Sequence, residues 1–174
     1  MVSFRLAAAA SALSLAFAVP ACAKEACALV NKSDVARVFR AAFDNGERIV
    51  TSKAGKGRPE VSQCSFDAVN PSETGAHRVS VMARIASEPD PEAAALARQM
   101  LAMADQARPQ IVNGVGDTAL WVVRSIGSVT VGQLNVFKSG TIYLIVSVDT
   151  GSRAPSMRGP SAALAKLALQ RLGK

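Results

Sequence analysis

Two glycines set two apart, Gly114 and Gly116, join a helical stretch of this chain to a run of strong strand signals. Glycine reaches backbone angles closed to other residues, and the only tryptophan, Trp121, follows at once in the apolar run Leu120 to Val123. The stretch from Asn113 to Trp121, with Asp117 in its middle, therefore reads as a tight turn that launches a core strand. The same letters, Gly114-Val115-Gly116-Asp117-Thr118-Ala119, fit the dinucleotide-binding pattern G-x-G-x-x-G/A. That pattern needs a strand before it and a helix after it, so that the helix N-terminus can receive a pyrophosphate. Here a helical stretch ending near Arg108-Pro109 precedes it, and Thr118 to Arg124 is β-branched and aromatic. The glycines are assigned to a structural turn, and no cofactor is expected.

The start of the chain carries an address. Arg5 supplies a positive charge, Leu6 to Val19 is an uncharged run of small and apolar residues, and Ala21-Cys22-Ala23 fits a signal-peptidase site. The run is short of the roughly 20 residues of a spanning helix, and no later stretch is long and apolar enough either, so no transmembrane span is expected. Residues 1–23 read as a signal peptide and residues 24–174 as one domain, exported to the periplasm or secreted, with Lys24 as its first residue. Val19-Pro20-Ala21-Cys22 also resembles a lipobox; on that reading Cys22 is lipidated and anchors the chain to the envelope. Either route removes Cys22 from the thiol count. Cys27 and Cys64 remain, and in an oxidising compartment they are expected to form a disulfide between the first helical region and a strand.

The exported part, about 150 residues, suffices for one hydrophobic core. Only Arg5 is lost from a formal charge of +7, so this part stays basic. Outside the cytoplasm that balance points to an envelope protein or an anionic surface as partner. Aromatic content of 5% is too low for base-stacking platforms, so nucleic acid is not expected.

Ser33 to Phe43 reads as a first amphipathic helix ending near Asn45-Gly46, with Arg37 and Arg40 on its outer face. Lys53, Lys56 and Arg58 add positive charge in the next loop, without P-loop spacing. Strands follow at Arg48 to Ser52, Val61 to Val69 and Arg78 to Ala86, with a turn from Asn70 to Gly75. The single histidine, His77, has no partner at metal-ligand spacing, so it reads as structural or solvent-exposed. Asp90 caps a second helix with Pro91 at its first position, running to about Ala107. Leu96, Met100 and Met103 share one of its faces. Two thioethers without a third ligand make no metal site, and the face reads as adaptable core or as one wall of an apolar ligand site. Thr118 to Arg124, Ser128 to Phe137 and Thr141 to Asp149 form a meander, a loop covers Thr150 to Pro160, and Ala162 to Leu172 is a last helix stopped by Gly173.

Several of these pieces resemble small secreted or lipid-anchored bacterial proteins of the DUF3558 type and relatives with a Mog1/PsbP-like fold. They are Cys27-Ala28-Leu29-Val30 before a helix, Cys64-Ser65-Phe66 on a strand, Gly114-Val115-Gly116-Asp117 followed by Trp121, Lys138-Ser139-Gly140 as a hairpin, and the Ala/Leu-rich last helix. The resemblance implies an α+β domain, an antiparallel sheet of about 5–6 strands flanked by about three helices. It implies no shared catalytic set. With one histidine and no acid cluster, no nucleophile, base and orienter can be assembled, so no catalytic residue is assigned. The leading expectation is a non-enzymatic envelope protein acting through protein or surface contacts. A carrier of a small apolar ligand held between sheet and helix is the second reading, and a His-independent hydrolase is the third.

Overall fold

Among the described residues, seven strand segments form a single antiparallel sheet. The computed structural model describes residues 25–53, 55, 58–102, 109–126, 129–150 and 154–173. Its strands are β1 (Glu47–Ser52), β2 (Glu60–Asp67), β3 (Ala76–Ile85), β4 (Gln110–Ile111), β5 (Thr118–Ile126), β6 (Val129–Lys138) and β7 (Ile142–Thr150). They lie in the order β1-β2-β3-β7-β6-β5-β4. Two three-stranded meanders, β1-β2-β3 and β5-β6-β7, are thus joined where β3 pairs with β7, and the two-residue β4 extends the far edge.

Helices cover both faces. One face packs against α1 (Ala26–Leu29), α2 (Lys32–Phe39) and the long α5 (Arg158–Leu172), and its core includes Phe66, Val81, Trp121, Leu134, Leu144, Val146 and Leu164. Residues of the opposite parity, Leu120, Val122, Phe137 and Tyr143, form a second, smaller core with α4 (Pro91–Ala102). Cys27 in α1 is bonded to Cys64 in β2, with Cα atoms 5.0 Å apart, so the expected disulfide ties the helical layer to the sheet. Arg171 in α5 adds a second tie, donating to both carboxylate oxygens of Asp34 in α2, at 2.5 and 3.0 Å, and to the Leu29 carbonyl at 2.8 Å. Burial pushes the Asp34 carboxyl up. The hydrogen bonds from Arg171 and from the Asn31 backbone, with the charges of Arg171 and Arg37, outweigh that and hold it below its ordinary value.

The expected elements shift at several boundaries. The first helix begins at Lys32, because Asn31 and Asp34 form a reciprocal capping box, and it ends at Phe39. Arg40 then takes a left-handed conformation, φ 55°, which redirects the chain so that Phe43 is buried edge-on against Phe39 instead of extending the helix. Among the described residues the sheet has seven strands, not five or six, since β4 is too short to give a periodic signal. Within the turn from Asn70 to Gly75, Pro71–Thr74 forms one helical turn, α3. The last helix starts at Arg158, earlier than expected, after a 3-10 turn at Ala154–Met157. Pro160 fits there because the first-turn N–H groups of a helix have no partner within it. Gly173 ends that helix at φ −82°, so its left-handed freedom is not used. Asp90 caps α4 as expected, its Oδ1 accepting from the Glu92 and Ala93 amides at 3.0 and 3.2 Å. The signal segment, Cys22, Met103 and the stretch toward Ala107 lie outside the described residues.

Candidate functional site

The central turn resolves into backbone requirements. Gly114 and Gly116 both have positive φ, 72° and 60°, and a Cβ on Gly116 would stand 2.6 Å from the Phe137 carbonyl oxygen. The Asp117 amide donates to that same oxygen at 2.9 Å, while the Asp117 carboxylate accepts from the Ser139 amide at 2.6 Å. The turn therefore clamps the β6–β7 hairpin. Strand β5 begins at Thr118, where the dinucleotide pattern needs a helix. Trp121 is buried on the α5 side of the sheet.

The face that carries Met100 is split. Met100 is buried with Ala93 against Leu120, Val122, Phe137 and Tyr143, whereas Leu96 is exposed and turned away from them. The covering face of α4 is thus Ala93, Ala97 and Met100, at helical spacing. Met103 lies outside the described residues.

Beneath that helix lie two polar residues that no motif marks. The Tyr143 ring stacks on Phe137, centroids 4.5 Å apart, and its hydroxyl donates to Asn135 Oδ1 at 2.7 Å. Burial raises the Tyr143 hydroxyl to about 12, against a smaller opposite pull from the charge of Arg124. Asn135 is 1% exposed, and its Nδ2 has no hydrogen-bond partner among the described residues. A buried donor left unpaired costs about 1–3 kcal/mol. The available signal was parity: Asn135 shares a strand face with Phe137, in a strand flanked on both sides by other strands.

A cleft of about 540 Å³ opens where the end of the β1–β2 hairpin meets the segment before α4, lined among others by Ser52, Arg58, Arg84, Ser87 and Glu88. Its central group is already engaged. Arg84 donates to Asp90 at 2.5 and 3.2 Å and to Glu92 at 2.6 Å. The hydrogen bonds from Arg84 hold the Asp90 carboxyl below its ordinary value despite burial. This knot fastens the start of α4 to β3, and it sets one guanidinium against two carboxylates. The other basic residues are dispersed: Arg37 pairs with Asp34, Arg58 lines the cleft, and Lys56 is outside the described residues. His77 is exposed on β3. Among the described residues no group of three His, Cys, Asp or Glu side chains is placed to hold a metal ion, and no helix is long and apolar enough to cross a membrane.

The chain matches no family model, and no curated protein matches it.

Proposed function

We propose that this chain is an exported envelope protein that works by non-covalent contact with another envelope protein. The observation that carries the reading is the outer edge of β5. Strand β4 pairs only with Leu120 and Trp121, so among the described residues the stretch from Val122 to Ile126 has a partner strand on one side alone. Val123, on that stretch, is 41% exposed. An open edge of this kind accepts an extended segment by backbone pairing, with side chains such as Val123 giving selectivity. Export is supported by the apolar run from Leu6 to Val19 with its Ala21-Cys22-Ala23 site, and by the Cys27–Cys64 disulfide. Capture from the native envelope under mild crosslinking tests it: the parent should retain a defined protein that Val123→Lys, which places a charge on the edge, does not. Equal capture by both forms would defeat the reading.

A second reading, the carriage of a small apolar molecule between α4 and the sheet, is favoured by the unpaired donor of Asn135 in that layer.

A further inference from the structure

We propose that Asn135 is the polar anchor of a binding site between α4 and the sheet, one that takes an apolar molecule bearing a carbonyl or carboxylate oxygen. The inference rests on the carrier reading and deepens it. Tyr143 occupies Asn135 Oδ1, so the side the amide leaves unused is its donor, Nδ2. The hydrophobic cluster at that level comprises Leu120, Val122, Phe137 and Met100, with Met82 and Ile145 packed against it. A pure hydrocarbon fits such a surface but leaves the donor unpaired, and a water needs two to four polar partners. An oxygen acceptor on an otherwise apolar molecule satisfies both the donor and its surroundings.

The covering helix suits a guest. Its inward residues are two alanines, Ala93 and Ala97, and the flexible thioether of Met100, which repacks more readily than a branched side chain. Its N-terminal end is pinned, by Arg84 to Asp90 and by the Asp90 amide to the Gly140 carbonyl at 2.8 Å. The positive charge of Arg124 acts on Tyr143, and a carboxylate at the same place would be favoured by it.

Fluorescence titration with two probes tests the site on the full, disulfide-bonded protein. cis-Parinaric acid is apolar with a carboxylate acceptor; diphenylhexatriene is apolar with none. Parinaric acid is expected to bind saturably and about ten-fold or more tighter than diphenylhexatriene, the size of effect one satisfied buried donor supplies. The double variant Asn135→Leu/Tyr143→Phe removes both polar groups with little change of volume. It should lose that preference while unfolding at the same or a higher urea concentration, since it no longer buries an unpaired amide. Ala97→Leu, which adds volume on the inward face of α4 and leaves Asn135 untouched, should weaken both probes. No saturable binding of parinaric acid to the parent, or undiminished binding to either folded variant, would overturn the proposal. Val123→Lys should leave parinaric acid binding unchanged, so this site and the strand-edge reading fail independently.

Discussion

The indole of Trp121 occupies the place that a side chain at Gly132 would take: a Cβ on Gly132 would stand 2.4 Å from Trp121 Cζ2 and 2.5 Å from Cη2. Gly132 sits on β6, diagonal to Trp121 across the β5–β6 ladder, and both residues are buried. The largest side chain of the main core is accommodated by the smallest residue of the neighbouring strand. Gly132→Ala should therefore overpack the core and lower stability by roughly 1–3 kcal/mol. Urea unfolding followed by Trp121 fluorescence reads the effect directly, and an unchanged midpoint would show that the indole moves aside freely.

The two turn glycines should differ. Both have positive φ, but a Cβ at Gly116 also meets the Phe137 carbonyl oxygen at 2.6 Å, whereas at Gly114 the nearest group is Lys166 Nζ at 3.8 Å. Gly114→Ala pays only the left-handed strain of about 1–2 kcal/mol, offset in part by a stiffer unfolded chain. Gly116→Ala adds a clash with backbone that cannot rotate away, so its melting midpoint should fall further. The reverse order would contradict the assigned contacts.

Arg171 and Asp34 should give stability a defined acid limb. Asp34 lies below its ordinary value in the folded protein, so the pair contributes fully above the unfolded carboxylate range of about 3.9. Its contribution disappears as pH falls through the lower folded value. Arg171→Gln should cost about 1–3 kcal/mol at neutral pH, discounted because the Arg171 side chain is 34% exposed. The gap between the two proteins should narrow as pH falls below the unfolded carboxylate range, leaving the share that comes from the Leu29 carbonyl bond. A difference that does not narrow with falling pH would mean that packing, not charge, accounts for the effect.

The disulfide closes a loop with a sequence separation of 37, worth roughly 4 kcal/mol in the chain-entropy model. Cys27→Ala/Cys64→Ala should lose stability of that order. Thiol titration of the unfolded, unreduced parent should find neither Cys27 nor Cys64 free.

Much of this architecture was legible because local signals were strong. The β5–β6–β7 meander follows from apolar, strand-forming runs around Trp121, Leu134 and Val146 separated by turn residues, and the Asp90 cap from an Asp-Pro-Glu start. The end of α2 was not legible, because Arg40 adopts a left-handed conformation that no residue type announces. Strand β4 escaped because two residues carry no period. Asn135 was hidden for another reason. Its burial depends on which face of β6 lies under α4, a tertiary relationship that the strand pattern by itself leaves open. The face assigned to Leu96 and Met100 shows the same limit, since one helix turn separates an exposed side chain from a buried one.

The central claim, that the protein works through contact along the edge of β5 that no described strand covers, is tested most directly by placing a photo-crosslinking residue at Val123 in the native envelope. The same substitution at His77, exposed on β3, serves as the control. The account expects one defined crosslinked protein from position 123 and none of that mass from position 77. Identical labelling from both positions, or a pattern at 123 that Gly116→Ala and the parent share with unrelated exported proteins, would contradict it.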